Sequence, residues 1–196
     1  YYTGYFDAAT SFRHALFQTV SIASTTGFAS SDFNLWPDFS RYVLLLLMFV
    51  GGCSGSTAGG MKVSRFVILL KVTWAELRRT IHPRLVYSIK MGGRNVPPVV
   101  VGNVTRFFYL YMIVFSTLTL LISLTGISML DSMGIIAACM SSVGPAFGIV
   151  GPTATYADVS TFGRLVVIAA MILGRLEIFT LLIIMRPDFW RVKRNW

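Results

Sequence analysis

The apolar residues of this chain fall into long runs rather than an alternating pattern. Two runs, at residues 107–127 and 165–185, reach the roughly 20 residues that an α-helix needs to cross a bilayer. Two half-apolar segments, at 13–24 and 131–141, are shorter and fit the roughly 10–14 residues of a re-entrant helix. The pattern predicts an all-α membrane protein that combines spanning helices with short helices that enter the membrane and turn back.

A third apolar run is interrupted by glycine. The largely apolar segments 42–50 and 63–72 are separated by Gly-Gly-Cys-Ser-Gly-Ser-Thr-Ala-Gly-Gly at 51–60. Each glycine costs a helix about 1 kcal/mol relative to alanine. Unwound backbone at membrane depth is tolerated only where protein buries it or where it lines a water-filled path. The pattern therefore predicts one broken transmembrane helix, which is typical of a transport pathway.

The chain also repeats itself. At an offset of 117 residues Gly27 recurs as Gly144, and at an offset of 123 five residues recur: Phe39, Arg41, Val43, Met48 and Gly51 return as Phe162, Arg164, Val166, Met171 and Gly174. Chance similarity between apolar segments is the alternative, but both copies share the order of short helix, glycine turn, acidic loop and arginine-led helix. The predicted unit is helix, re-entrant helix, glycine turn and helix, and the first unit here lacks its leading helix.

This unit suits a cation. The C-terminal end of a helix carries partial negative charge, which favours a cation nearby. Glycine lets the next peptides aim their carbonyls at one axis, and rings of carbonyls replace an ion's hydration shell in selectivity filters. We expect Gly27 and Gly144 to lie at one level around a shared axis, with their carbonyls towards it.

Composition and charge agree with a membrane location. Hydrophobic residues make up 55% of the chain and charged residues 13%, with a mean hydropathy of +0.68. Nine of the 17 Lys and Arg residues lie between 62 and 106, whereas the loops at 30–39 and 151–160 contain Asp but no Lys or Arg. The positive-inside rule places 73–106 and the C-terminus in the cytoplasm. Orientation thus accounts for the net charge of +9, and no nucleic-acid partner is expected.

Arg175 stands inside an apolar run, where arginine costs at least about 2.5 kcal/mol and requires a partner or a wet cavity. The offset of 123 places it beside Gly52, so we expect its guanidinium to reach a carbonyl or hydroxyl group in 51–57. A pair with Glu177 is the alternative, but side chains two residues apart do not face each other on a helix.

Enzymatic chemistry has no candidate site in the sequence. Met61 separates Gly60 from Lys62 and no strand precedes the glycines, so the phosphate-loop pattern fails. No set of His, Cys, Asp or Glu has catalytic or metal-ligand spacing. The expectation is a protein that is not an enzyme.

Three motifs together resemble the Trk/Ktr/HKT superfamily of potassium transporters, and most of all the C-terminal half of bacterial TrkH-like potassium uptake subunits. They are Thr-Thr-Gly-Phe at 25–28, the glycine-rich segment 51–60 and Val-Gly-Pro-Ala-Phe at 143–147. The resemblance implies fused helix–pore loop–helix units like those of potassium channels. It divides the chain into a partial third pore unit (1–80), a cytoplasmic linker (81–102) and a fourth pore unit (103–196). Ser142 and Ala146 depart from the Asn and Gly that the family often has there.

The same resemblance implies the site residues. The selectivity filter would comprise Thr25, Thr26, Gly27, Phe28, Ser142, Val143, Gly144 and Pro145, with K⁺ held by the backbone carbonyls of Thr25, Thr26, Ser142 and Val143. An intramembrane gate would comprise Gly51, Gly52, Cys53, Ser54, Gly55, Ser56, Thr57, Ala58, Gly59, Gly60 and Arg175.

The resemblance further implies a multi-pass protein of the bacterial cytoplasmic (inner) membrane, a homodimer and a cytosolic nucleotide-binding regulatory subunit. K⁺ would be the transported ion, without an organic cofactor. Because two pore loops of four cannot close a filter, we expect two more units upstream of Tyr1. The alternatives are an alternating-access carrier for a small solute or another cation, with its site at the broken helix, and a non-transporting membrane scaffold.

Overall fold

A computed structural model describes residues 7–53, 55–82 and 88–175. The described part is built from six helices: α1 (Ala8–Ala23), α2 (Asp38–Phe49), α3 (Val63–Ile81), α4 (Pro98–Ser123), α5 (Met129–Met140) and α6 (Thr161–Arg175). Two pairs of two-residue strands accompany them: β1 (Val50–Gly51) with β2 (Met61–Lys62), and β3 (Lys90–Met91) with β4 (Arg94–Asn95). The predicted helical fold is confirmed, and the short strands are additions that apolar periodicity does not predict.

The predicted break in the third apolar run is present. Helix α2 ends at Phe49 and α3 begins at Val63, with no helix in the described residues between them. The two ends of the break are held together by a parallel ladder that pairs Val50 with Met61 and Gly51 with Lys62. The Val63 N–H also donates to the Gly52 carbonyl at 3.2 Å. We name the segment 52–60 the crossing loop.

Helix α4 begins earlier than its apolar run. It starts at Pro98 rather than at residue 107, because proline is favoured in the first turn of a helix and the polar Asn103, Thr105 and Arg106 interrupt hydropathy without breaking the helix. Its 26 residues make it the one helix in the described part of the chain that is long and apolar enough to cross a membrane alone. The predicted linker 81–102 therefore contains the start of α4, and also the β3–β4 hairpin, which turns at Gly92 and Gly93 with φ of 55° and 78°.

Helix α5 lies at the centre of the core. Ile135, Ile136, Ala137 and Ala138 have no exposed surface, and α4 and α6 pack on either side of α5. Helix α1, its counterpart in the repeat, instead exposes the apolar side chains Phe12, Leu16, Phe17 and Val20. Of the predicted spanning run 165–185, the structure describes residues up to Arg175, and the remainder lies outside the described residues.

Polar contacts join the two repeat units. The Asn34 side chain accepts a hydrogen bond from the Gly148 N–H at 3.0 Å and donates to the Gly148 carbonyl at 3.3 Å. Arg41 at the start of α2 pairs with Asp131 of α5 at 3.7 Å. The Ser141 hydroxyl donates to the Met48 carbonyl at the other end of α2. Helix α2 is thus fixed to the second unit at both of its ends.

Candidate functional site

The two short helices end in the same way. After α1 the N–H groups of Ser24, Thr25 and Thr26 bond to the carbonyls of Val20, Ile22 and Ser21. After α5 the N–H groups of Ser141, Ser142 and Val143 bond to those of Ala137, Cys139 and Ala138, 117 residues further on in each case. The offset found in the sequence is therefore a repeat of hydrogen bonding as well as of residue type.

Backbone conformation repeats at the same offset. Thr25 and Ser142 have φ of 56° and 58°, and Gly27 and Gly144 have φ of 78° and 106°, while Thr26 and Val143 between them have negative φ. Positive φ at a non-glycine residue costs about 1–2 kcal/mol, so its occurrence at both matching positions marks a conformation that the fold imposes. Alternation of the sign of φ turns successive peptide planes so that their carbonyls face the same side.

The two turns meet. A Cβ atom at Gly27 would overlap the carbonyl oxygen of Val143, so the second turn lies directly against the Gly27 backbone. The sequence predicted that Gly27 and Gly144 share one level, and the contact brings their turns together without testing their arrangement around an axis. Carbonyl oxygens that accept no hydrogen bond within the described ranges include those of Thr25, Thr26, Ser142 and Val143.

Other carbonyls of these turns have protein partners. The Ser21 hydroxyl donates to the Phe28 carbonyl at 2.6 Å, and the Tyr156 hydroxyl donates to the Gly144 carbonyl at 2.7 Å. The sequence assigned the Gly144 carbonyl to the ion path and did not predict either hydroxyl. Nothing in the sequence marks either donor. Ser21 is a single polar residue inside a helix, Tyr156 lies in a loop, and neither belongs to a motif that the sequence analysis identified.

The crossing loop lies against both turns. The Gly59 N–H donates to the Thr25 hydroxyl at 3.3 Å, and a Cβ atom at Gly59 would overlap the Ser141 carbonyl oxygen. Only a residue without a side chain allows this approach. The glycine-rich segment therefore sits next to the ends of both short helices, where α1 and α5 direct the negative ends of their dipoles.

Two cations bind three successive carbonyls of the crossing loop. Lys62 Nζ donates to the carbonyls of Ser56 and Ala58 at 2.7 and 2.6 Å. The Arg175 guanidinium donates to the Thr57 carbonyl at 2.8 Å. The predicted contact of Arg175 with residues 51–57 is confirmed, and its gating role stays a prediction. Lys62 is a contact that the sequence reasoning missed, although a lysine two residues after the last glycine was its signal.

Behind the crossing loop is a cavity of about 220 Å³. It is lined by loop residues 56–60, by Phe107 and Tyr111 of α4, and by the cations Lys62, Arg65 and Arg175. The loop thus has unfilled space on one of its sides. Among the predicted site residues Ser54 lies outside the described part of the chain, as does Glu177, the alternative partner for Arg175.

Comparison with known proteins gives a consistent result. The model of the TrkH family, described as cation transport proteins, matches residues 2–191. The Trk system potassium uptake protein TrkH of Vibrio parahaemolyticus is 45% identical over 190 residues, which is 97% of this chain and 38% of that protein. TrkH of Escherichia coli K12 is 40% identical over 187 residues, covering 95% of this chain and 38% of that protein. Escherichia coli K12 TrkG is 35% identical over 191 residues, covering 97% of this chain and 39% of that protein.

The fold agrees as well. The crystal structure of the potassium transporter TrkH from Vibrio parahaemolyticus matches this chain with a TM-score of 0.85 and 44% identity, over 95% of this chain and 40% of that one. The chain therefore spans roughly two fifths of the length of these relatives, between 38% and 40%.

Two short helices with matching turns, next to a broken helix, and the match to a solved transporter place the chain in the class of membrane proteins built from helix–pore loop–helix units. The chain belongs to the TrkH family of cation transport proteins, because the family model matches residues 2–191 and these relatives are up to 45% identical to it over the matched residues.

Proposed function

We propose that this chain forms two of the four pore loops of a potassium-selective membrane pore. The observation that carries the proposal is the repeated turn: the same hydrogen bonds and the same alternation of φ follow α1 and α5, and the two turns are in contact. The relatives' names as potassium uptake proteins supply the ion.

The proposed ion ligands are the backbone carbonyls of Thr25, Thr26, Ser142 and Val143. Support comes from their position: they follow two helix C-termini, whose dipoles favour a cation, and within the described residues no hydrogen bond occupies them. Such carbonyls replace the hydration shell of K⁺, so the substitution of Ser142 for the family's Asn changes a side chain and not the ligand.

The crossing loop with Arg175 is the proposed gate. It lies against both turns and its carbonyls are held by Lys62 and Arg175, so in this conformation it obstructs the inner end of the filter and places two positive charges there. The cavity of about 220 Å³ beside Phe107 and Tyr111 offers the loop a place to withdraw to.

The surroundings follow from charge and family. We propose a multi-pass protein of the bacterial cytoplasmic membrane, with the C-terminal end of α3 and the β3–β4 hairpin on the cytoplasmic side because Arg78, Arg79, Lys90 and Arg94 lie there. A homodimer and a cytosolic nucleotide-binding regulatory subunit, which would face this basic region, complete the proposal. The relatives' description as members of a Trk system is consistent with further subunits.

Ion flux into proteoliposomes tests the proposal. The complete transporter containing these residues should pass K⁺ many times faster than Na⁺, with single openings that each carry many ions. Equal K⁺ and Na⁺ permeability would contradict the selective filter. One load per cycle, with flux that saturates as expected for a carrier, would instead favour alternating access at the broken helix.

A further inference from the structure

Each of the two matching turns accepts a hydrogen bond from a side-chain hydroxyl. At the first turn the donor is Ser21, which lies near the C-terminal end of α1, and its acceptor is the Phe28 carbonyl at 2.6 Å. In the second turn the donor is Tyr156, and its acceptor is the Gly144 carbonyl at 2.7 Å. The two donors come from unrelated places in the sequence, so the repeat does not account for them.

Tyr156 is itself fixed in position. It begins the 3₁₀ turn Tyr156–Asp158, where its carbonyl accepts a bond from the Val159 N–H at 3.3 Å and the preceding Thr155 hydroxyl accepts one from the Ala157 N–H at 3.4 Å. Its hydroxyl also lies 3.4 Å from the sulfur of Cys139, a buried residue of α5. Oη is therefore held between the short helix and the turn that follows it.

The peptide group that Tyr156 binds has few other restraints. Pro145 contributes its nitrogen to that group and has no N–H to donate, so the carbonyl is the group's one hydrogen-bonding atom. Gly144 has φ of 106°, and a Cβ atom there would meet nothing within 4 Å, so no side chain of its own fixes this peptide, and the other side of the peptide is the Pro145 ring, which lies close to Gly27. Without the hydroxyl, glycine's freedom would let this peptide plane turn and change the aim of the adjacent Val143 carbonyl.

The tyrosine is suited to a permanent restraint. Burial, with Cys139 beside it, raises the pKa of the Tyr156 phenol far above its ordinary value. The hydroxyl thus keeps its proton and remains a donor at every pH at which a cell lives.

We propose that Tyr156 is a positioning residue for ion selectivity, which holds the Gly144 peptide so that the carbonyls of Ser142 and Val143 stay aimed at the ion, and that Ser21 restrains the first turn through the carbonyl of Phe28, one residue beyond Gly27, the counterpart of Gly144. This inference rests on the proposed function of the turns as a filter. It concerns residues behind the filter, which the ion does not touch.

Tyr156→Phe tests this in the complete transporter, because it removes Oη and keeps the ring. The loss of one buried hydrogen bond is expected to lower the K⁺ over Na⁺ permeability ratio about fivefold. Tyr109→Phe is the matched control, since Tyr109 is exposed on α4, and its ratio should equal that of the unmodified protein. The permeability ratio distinguishes a positioning role from a purely structural one. A general loss of stability would lower the amount of protein or the total flux but leave the ratio unchanged.

An unchanged ratio in Tyr156→Phe, in protein that elutes as the unmodified transporter does, would overturn the inference while the proposed pore stands. If Tyr156→Phe does not assemble, Ser21→Ala decides: the ratio should fall, and Ser21→Thr, which retains a hydroxyl, should restore it. An unchanged ratio in Ser21→Ala would then overturn the inference. An unmodified transporter without preference for K⁺ would overturn both proposals.

Discussion

At the scale of single residues, the two matching turns depend on glycines whose positive φ a side chain would strain. Gly27 combines positive φ with the approach of the Val143 carbonyl, whereas Gly144 has positive φ in open space. The sequence predicted both glycines as equivalent. The structure distinguishes them, because the contact at Gly27 is made by the other repeat unit and leaves no trace in local sequence.

This difference gives a graded prediction. Gly27→Ala should lower the K⁺ over Na⁺ permeability ratio about tenfold, because backbone strain of about 1–2 kcal/mol is added to overlap with Val143. Gly144→Ala carries the strain alone and should lower the ratio less. Permeability ratios from reversal potentials measure both, and equal ratios in both variants and the unmodified protein would contradict the filter assignment.

The cations that hold the crossing loop give a second prediction. Arg175→Ala and Lys62→Ala should each raise K⁺ flux, by about threefold to fivefold, because each frees loop carbonyls and removes a positive charge next to the path. Arg175→Lys retains the charge but loses the planar set of donors, so its flux should be intermediate.

Matched controls lie on α6, which carries Arg175, and on α3, which begins directly after Lys62. Arg164→Ala removes a cation at the other end of α6, where Arg164 binds the Val159 carbonyl at 2.9 Å, and Lys71→Ala removes one from α3. Neither touches the crossing loop, so flux should stay near that of the unmodified transporter. A rise in the controls as large as in the test variants would mean that net charge, not loop contact, is responsible.

At the scale of elements, hydropathy predicted which segments are helical and where one helix breaks. It placed helix ends less well. Helix α1 begins at Ala8, in a turn of small and polar side chains, and α4 begins at Pro98, ahead of the polar residues Asn103, Thr105 and Arg106 that interrupt its apolar run. The β1–β2 ladder was beyond prediction. Two-residue strands have no periodicity, and the pairing of Gly51 with Lys62 depends on how the crossing loop folds in three dimensions.

The ladder makes a deletion informative. Removing residues 55–57 takes away the carbonyls of Ser56 and Thr57 but leaves the pairing of Val50 with Met61 intact. Flux should rise severalfold while the permeability ratio stays nearly constant, because the proposed filter is a separate element. Liposome flux assays with K⁺ and Na⁺ measure both quantities. A deletion variant that folds normally without a gain in flux would count against the gate.

At the scale of the whole molecule, side chains join the two repeat units at both ends of α2. Asn34 forms two hydrogen bonds with the Gly148 peptide, and Arg41 pairs with Asp131. The internal repeat predicted two similar units. It could not predict how they meet, since Asn34 and Asp131 differ between the copies and the contacts join residues far apart in sequence, 114 positions for Asn34 and Gly148.

Asn34→Ala should therefore lower stability. Loss of two hydrogen bonds in a half-buried site is expected to cost about 1–3 kcal/mol and to lower the apparent melting temperature of the purified transporter. Asn103→Ala, at an exposed position of α4, is the control and should melt as the unmodified protein does. Equal melting temperatures for Asn34→Ala and Asn103→Ala would mean that the contact does not stabilise the assembled protein.

The parallel ladder between β1 and β2 has a mechanical consequence. Because Val50 is tied to Met61 and Gly51 to Lys62, the backbone from one end of the crossing loop to the other is a closed ring of fixed circumference. Such a ring can swing about its tied edge without lengthening, and its ends are already together, so the movement incurs no further closure entropy. If movement of this ring opens and closes the ion path, α2 and α3 need not change their spacing or tilt.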